Sequence, residues 1–331
     1  MPSIDITQLP ELLDAEVYPI MLNQYDAQPS TYDRICDVRP YEARKAYGDK
    51  SSTTTGLGLP MEIEDGQESP ADSEETAHTW FLKNRILSRR IDVAGRLLDQ
   101  ASATAAVDYI LAKTENLGRN FVIAKDNHIA GMLQKGTLTA GDAKYFDNSF
   151  PGNADPFPKF IYDGLPFFDT AHALTGAPGT YANHSVSAPL SAANLQDVLE
   201  IQEGTNAVDE RGNRILNPMD TLLVPKSLEH DARVLMNSTL LPGSQNNDAN
   251  VLQGRLNVIA FNGLSDAASS SSWWVGRGGA QSGIRVVDSG APVMRTAYDE
   301  KTNVFSVIWE VYFGATVTDW RSWYCANKNA S

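Results

Sequence analysis

The sequence predicts an α+β protein in which a long extended hairpin separates an N-terminal helix from the folded body. Three observations carry that prediction. Residues 104–134 hold a helical pattern, with Ala105, Tyr109, Ala112, Leu117, Phe121, Ala124, His128 and Met132 recurring at spacings of three to five. Residues 303–313 alternate: Phe305, Val307, Trp309, Val311 and Phe313 share one face of a strand, while Val304, Ser306, Ile308, Glu310 and Tyr312 share the other. Residues 27–91 follow neither period, and a stretch of that length inside a compact domain needs a structural role of its own. The 331 residues, 42% hydrophobic and 21% charged, suffice for two folded domains of ordinary size.

The elements follow in chain order. Thr7 to Met21 places Leu9, Leu12, Leu13, Val17 and Ile20 on one stripe, with Pro10 in the first turn, where its missing N–H costs nothing, and a bend expected at Pro19. From Ala27 to Ile91 the prolines Pro29, Pro40, Pro60 and Pro70 and the run Gly56-Leu57-Gly58-Leu59 break regular structure. Strand-like pieces flank an acidic tip, so the stretch reads as a projecting hairpin with Thr76 to Ile91 as its returning arm. The helix over 104–134, about 45 Å long at 1.5 Å per residue, can bend at Gly118 and Asn120 and ends before Lys135-Gly136. Ile284 to Tyr324 is β-rich, with a turn at Asp299–Thr302 joining two strands of an antiparallel meander packed under the long helix. Ala267 to Ser272 is the one low-complexity patch and reads as a surface loop; no internal repeat occurs.

Composition excludes several classes. A net charge of -14 argues against a conventional nucleic-acid reader, whose affinity comes from Lys and Arg displacing counterions from phosphate. No apolar run reaches the roughly 18 residues of a membrane span. Met1-Pro2-Ser3-Ile4-Asp5 has neither the basic start nor the apolar stretch of a signal peptide, so a cytoplasmic protein is expected. Cys36 and Cys325 read as two free thiols in a reducing compartment.

Catalytic constellations are few, and no cofactor is expected. Asp169, His172 and His184 lie close in sequence, but Pro166, Gly176, Pro178 and Gly179 mark the region as loop, without the HExxH or CxxC spacing of a metal site. His128 falls on the apolar stripe of the long helix and reads as a hydrogen-bonded core histidine; His78 and His230 read as surface residues. No Gly-x-Ser-x-Gly elbow is present, and Gly276-Arg277-Gly278-Gly279 lacks the Gly-Lys-Ser/Thr of a phosphate loop. A charge asymmetry stands out instead. Glu62, Glu64, Asp65, Glu68, Asp72, Glu74 and Glu75 follow one another without a Lys or Arg, and the returning arm then carries Lys83, Arg85, Arg89 and Arg90. Either this is a solvated loop beside an ordinary basic surface, or acidic tip and basic arm meet across subunits and set orientation and register.

The phrases Phe168-Asp169-Thr170-Ala171-His172, Tyr181-Ala182-Asn183, Val224-Pro225, Ser227-Leu228-Glu229, the Asn-rich stretch through Asn246, Asn247 and Asn250, Asn257 to Phe261 and Trp273-Trp274-Val275-Gly276-Arg277 follow in order. In that order and spacing the chain, from about Leu9 to Tyr324, resembles the major capsid proteins of tailed bacteriophages, in the Mu-like and siphophage branch. The resemblance implies the Hong Kong 97 capsid fold: an N-terminal arm (1–40), an extended hairpin loop (41–91) lying over a neighbouring subunit, a peripheral domain with a spine helix and β-sheet (92–187 and 280–331), and an axial α/β domain (188–279). It implies self-assembly into hexamers and pentamers that close an icosahedral shell around double-stranded DNA, made in the host bacterial cytoplasm, with no enzymatic activity. The partners implied are further copies of the chain, a portal, a decoration or cement protein and a separate scaffolding protein, since the long charged N-terminal extension of some relatives is missing. No local motif assigns the partners of the Lys-to-Asn cross-link that some shells of the family form. Two other readings stand beside it: an encapsulin-like compartment with protein cargo, and a cytosolic metal-dependent hydrolase using Asp169 and His172.

Overall fold

The computed structural model describes residues 9–42, 47–56, 59–60, 62–63, 65, 68, 71–72, 75–94, 103–114, 116–147, 157–241, 248–265 and 270–328. Helices α1 (Leu9–Ala27) and α2 (Tyr32–Ile35) lead into strands β1 (Asp37–Pro40), β2 (Gly48–Thr54), β3 (Thr76–Lys83) and β4 (Arg85–Ala94). Helices α3 (Ala103–Thr114), α4 (Leu117–Lys135) and α5 (Ala143–Phe146) follow, then the short strands β5 (His172–Ala173), β6 (Thr180–Tyr181) and β7 (His184–Ser185). The next segment holds α6 (Ala192–Glu200), β8 (Thr221–Val224), α7 (Glu229–Asn237), β9 (Asn257–Ala260) and β10 (Trp273–Gly276). The chain closes with β11 (Ile284–Asp288), β12 (Val293–Asp299), β13 (Val304–Val317) and β14 (Trp323–Ala326).

Two five-stranded sheets organise these elements. In the first, β1, β11, β13 and β12 lie in that order with β4 also paired to β13. Phe313 pairs with Asp288 on one side and Arg85 on the other, so β4 flanks β13 opposite β11. The alternation read in the sequence is realised: Phe305, Val307, Trp309, Val311 and Phe313 are all buried, each contributing roughly 1.5–3 kcal/mol of hydrophobic stabilisation. The residues from Phe305 to Val311 meet Leu13, Val17 and Met21 of α1, Val107 and Ile110 of α3, and Leu117 and Phe121 of α4. The second sheet runs β7, β14, β10, β8, β9. Alternate residues of its strands feed different cores: Trp274, Leu223, Ile259, Trp323 and Cys325 join Ile129, Met132 and Leu133 of α4, while Trp273, Val275, Leu222, Val224 and Tyr324 join Leu195 and Val198 of α6 and Leu235 of α7.

Three expectations are corrected. The helix over 104–134 is two helices, α3 ending at Thr114 and α4 starting at Leu117. Gly118 does not bend it; it admits α1, because a Cβ there would stand 2.4 Å from the Met21 carbonyl oxygen and 2.7 Å from the Tyr25 nitrogen. Helix α1 runs through Pro19 to Ala27 and buries Leu13, Val17 and Met21 against the Trp309 face of its own sheet. The returning arm divides at Asn84 into β3, paired with β2, and β4, paired with β13. The reads at 267–269 and at Asn246 and Asn247 lie outside the described residues.

Asn183 ties the linker at Phe167 to β14 and the turn before it. Its fully buried amide donates to the carbonyls of Phe167 (2.9 Å), Trp320 (3.1 Å) and Trp323 (3.3 Å), and its Oδ1 accepts from the Asp169 N–H at 2.9 Å. The backbone of Cys325 in β14 donates to the Asn183 carbonyl at 2.9 Å. Asn183→Leu strands several of these buried groups, each costing about 1–3 kcal/mol. It is expected to lower subunit stability by about 3 kcal/mol or more, read as a fall in the urea midpoint followed by tryptophan fluorescence; a change below about 1 kcal/mol would remove Asn183 from this role.

Candidate intersubunit contact site

The hairpin is anchored along its strands and open at its loop. Strands β2 and β3 pair from Gly48↔Lys83 to Thr54↔Thr76. The apolar run Trp80-Phe81-Leu82 is buried on its own subunit, Trp80 and Phe81 lining a narrow cleft with Phe146, Ile161 and Val317, and the Arg285 guanidinium lies 5.0 Å from the Trp80 ring centre. The strands therefore do not project as expected; a run with apolar residues on both faces needs cover on both. The loop 55–75 carries Leu59 and Ile63, exposed at 69% and 45%.

A buried ionic cluster fixes the far end of β3 to the segment joining the two sheets. His78 Nε2 lies 3.1 Å from Glu210 Oε1, Arg321 pairs with the same oxygen, and the Thr175 N–H donates to Glu210 Oε2 at 3.0 Å. Burial disfavours the charge on Glu210, but His78, Arg321 and the Thr175 N–H outweigh it and hold its carboxyl at about 2. Arg211 Nη1 adds an ion pair to Asp72 Oδ2 at 2.9 Å. His78 is thus not the surface residue expected: its ring packs 4.5 Å from that of Tyr162. Glu210, Arg211 and Arg321 were missed, since nothing local in the sequence marks partners more than a hundred positions apart.

Among the described residues the acidic and basic groups do not meet within one chain. Glu62, Asp65, Glu68, Asp72 and Glu75 are exposed, while Glu64 and Glu74 lie outside the described residues. Lys83 stands 3.8 Å from Asp147, and Arg85 donates to the carbonyls of Lys144 (2.5 Å) and Asp147 (2.7 Å). Arg90 pairs with Asp92 on its own strand at 2.8 Å. Arg89 is exposed and has no ion-pair partner among the described residues. Arg85 Nη1 also reaches His128 Nε2 at 3.3 Å, so His128 is hydrogen-bonded as expected, but it is half-buried beside Phe313 and not a core residue. Burial first, and then the nearby Arg85 and Lys144 charges, lower its pKa to about 3. His230 is exposed, as expected.

The loop histidines point to separate partners. Asp169 accepts from the N–H groups of Thr170 (2.7 Å) and Ala171 (3.0 Å) and so shapes its own turn. His172 Nδ1 lies 2.6 Å from Asp163 Oδ2, its ring stacked 4.6 Å from that of Trp320. His184 Nε2 donates to the Lys328 carbonyl at 2.7 Å. Among the described residues no group of three or more His, Cys, Asp or Glu is placed to hold a metal ion.

A second buried charge braces the body. Lys125, on α4 and fully buried, donates to both Asp288 oxygens (2.7 and 2.8 Å), to Tyr25 Oη (2.8 Å) and to the Gly290 carbonyl (2.8 Å). Tyr32 donates to the same carboxylate at 2.5 Å. Burial lowers the Lys125 pKa, and Asp288 opposes that shift. Four acceptors around one ammonium make a structural tie among α1, α2, α4 and β11.

Two packed sheets, a clamped hairpin and a loop of exposed apolar and acidic residues define a structural protein that works by association. The model of the phage capsid protein family matches residues 96–326, and the chain belongs to that family. It is a major capsid protein, a subunit from which the phage shell is formed, with the Hong Kong 97 fold. Among solved structures, a chain from Mycobacterium phage Patience superposes with a TM-score of 0.51 at 12% identity, covering 99% of this chain and 89% of that one. The capsid of the cyanophage P-SCSP1u gives 0.49 at 12% identity over 92% and 89% of the two chains, and the procapsid of bacteriophage JBD30 gives 0.47 at 12% identity over 99% and 77%. A comparison with curated proteins finds no match.

The two shifted groups set an acid dependence. For His128 the folded pKa, about 3, lies below the ordinary 6.5, so its contribution is present above pH 6.5 and is lost as pH falls toward 3. Glu210 adds a loss as pH falls from 4.5 toward 2. The urea midpoint of the unassembled subunit should fall from pH 6.5 downward, with His128 contributing up to about 1.4 kcal/mol per pH unit. His128→Leu should flatten the slope between pH 6.5 and 5; an unchanged slope would show that His128 does not stay neutral in the folded protein.

Proposed function

We propose that copies of this chain assemble as hexamers and pentamers into an icosahedral shell around double-stranded DNA, in the host bacterial cytoplasm, with contacts between the acidic hairpin loop and the basic arm setting the register of neighbours. In this reading residues 1–40 form the arm, 41–91 the extended hairpin loop, 92–187 with 280–331 the peripheral domain and 188–279 the axial domain. A separate scaffolding protein guides assembly, and a portal and decoration proteins complete the particle. The DNA is held by confinement without sequence-specific contacts, as the net charge of -14 favours. The role is structural and calls for no turnover at Asp169 or His172.

The observation that carries the reading is the loop 55–75, where Leu59, Glu62, Ile63, Asp65, Glu68 and Glu75 are exposed on a single subunit, while Arg89 has no ion-pair partner among the described residues. Exposed ion pairs contribute less than about 1 kcal/mol each, but symmetry repeats every contact around each capsomer. The purified protein should sediment as capsomers, shells or tubes, with nuclease-resistant DNA in particles from infected cells; an exclusively monomeric protein would sink the reading, and shells carrying protein in place of DNA would favour the compartment. Arg89→Glu with Arg90→Glu should cut shell yield several-fold while leaving circular dichroism unchanged. Adding Glu68→Lys and Glu75→Lys should restore part of the yield. Simple additivity of the two defects would mean the patches do not pair.

A further inference from the structure

The cations that the fold leaves unspent are gathered on one face. Residues 83–144 hold ten Lys and Arg against six Asp and Glu, in a chain whose net charge is -14. Within β4, α3 and α4 two of the described carboxylates are engaged. Asp92 is held by Arg90 (2.8 Å) and by the Ser306 hydroxyl (2.7 Å), and Asp126 accepts from the backbone N–H groups of Thr31 (3.0 Å) and Tyr32 (2.9 Å); Asp108 is exposed. Among the cations of the same elements, Arg85 is turned to carbonyls and Lys125 to Asp288. Arg89, Lys113 and Arg119, with Lys135 at the far end of α4, remain exposed and have no carboxylate partner among the described residues.

Three of these cations lie around the start of α4. Arg89 lines an open groove between β4 and α4 together with Ser88, Asn120 and Asn127, and no Asp or Glu lines it. Arg119 precedes Asn120 and reaches Asn116 Oδ1 at 3.2 Å. Lys113 stands three residues before Asn116, its ammonium 5.7 Å from the centre of the exposed Tyr109 ring. The apolar walls of the groove, Ile86 and Ile123, offer nothing to an anion, but its rim sets guanidinium and ammonium groups among hydroxyl and amide donors. Those are the groups that hold phosphate oxygens in protein–DNA contacts, where they position the duplex without reading its bases. We infer that the rim formed by Arg89, Lys113 and Arg119 faces the packaged double-stranded DNA and takes its phosphates, giving an otherwise acidic subunit one local contact with the genome. The inference rests on the shell-assembly reading above and adds to it the surface that meets the DNA. Arg89 also belongs to the loop contact proposed above, so the variants that follow leave it in place.

Lysine footprinting of wild-type particles tests the orientation. A small amine-acylating ester is applied to DNA-filled particles and to the same particles emptied of DNA, and labelling is read at each lysine by mass spectrometry. Lys113 should be labelled several-fold more slowly in filled than in emptied particles, relative to the other exposed lysines. In parallel, the unassembled subunit should bind a labelled duplex of about 20 base pairs at about 50 mM salt, whatever its sequence, with an affinity that falls with salt by roughly 0.9 logarithmic units per phosphate neutralised and decade of salt. Lys113→Gln with Arg119→Gln should weaken that binding about tenfold or more and lower the salt slope by about 2, with circular dichroism and the yield of empty shells unchanged. Equal labelling of Lys113 in filled and emptied particles, a duplex that the wild-type subunit does not bind, or a salt slope that the double variant leaves unchanged would each overturn the proposal. Lys113 slowed equally in filled and emptied particles relative to the free subunit would overturn it too, by showing that protein covers the rim. Should the double variant not fold, the wild-type labelling decides. Particles that hold no DNA would instead overturn the reading beneath it.

Discussion

The structure depends on a sheet whose strands serve two cores. Four consecutive residues of β14 alternate between them, Trp323 and Cys325 facing the core beneath α4, Tyr324 and Ala326 facing that beneath α6 and α7. A strand buried on both faces can be placed only if the sheet is fixed in register, because a slip of one residue would exchange the faces. Asn183 fixes it. The side-chain amide holds the backbone of the incoming linker at Phe167 and of the outgoing chain at Trp320 and Trp323, while its own backbone pairs with Cys325. The Phe-Asp-Thr-Ala-His and Tyr-Ala-Asn phrases are thereby explained without catalysis: Asp169 shapes the turn that presents Phe167, and His172 stacks on Trp320 above it.

From that junction the stiffness spreads outward through buried charge. Glu210 is oriented by Thr175 in the linker through Oε2 and by Arg321 in the turn before β14 through Oε1, and the latter oxygen also meets His78 of the hairpin. Lys125 and Asp288 do the equivalent at the other end of the body, drawing α1 and α2 onto α4. Buried ion pairs bring little net stability, since desolvation offsets much of the attraction, but breaking one leaves an unpaired charge at high cost. What they provide is a single allowed geometry. A subunit whose hairpin leaves the body in one direction can present its loop to a neighbour without first paying the entropy of finding that direction.

Much of the fold was legible in the sequence where one period acts alone. Strand β13 was readable because its inner face is continuously apolar, and β8, α7, β9 and β10 followed from the order of the phrases they carry. The break between α3 and α4 was not legible, because Leu117 and Phe121 keep the stripe in phase across it and the core sees no interruption. Helix α1 was read too short, ending at Met21 with a bend at Pro19: the backbone of Met21 and Tyr25 packs on Gly118 and the Tyr25 hydroxyl meets Lys125 on α4, so tertiary packing carries the helix on to Ala27. Of the candidate site, the charge asymmetry was visible, but its division was not. Whether a given Arg is spent inside the subunit, as Arg85 is, or left outward, as Arg89 is, depends on carbonyls at Lys144 and Asp147 far along the chain. His78 was misjudged for the same reason, its carboxylate partner lying more than a hundred residues away.

The charge distribution then constrains how such subunits can associate at all. Copies carrying a net charge of -14 repel one another, so contacts that bring a cation of one copy to an anion of another are favoured. The internal network narrows which cations those can be: Lys83, Arg85, Lys125 and Arg321, among others, are committed within the subunit. The same folding that fixes the hairpin's direction therefore also selects what it can bind. Because each such contact is weak and screened, a misplaced subunit can still dissociate during assembly, whereas a complete ring multiplies the same small term until the shell persists.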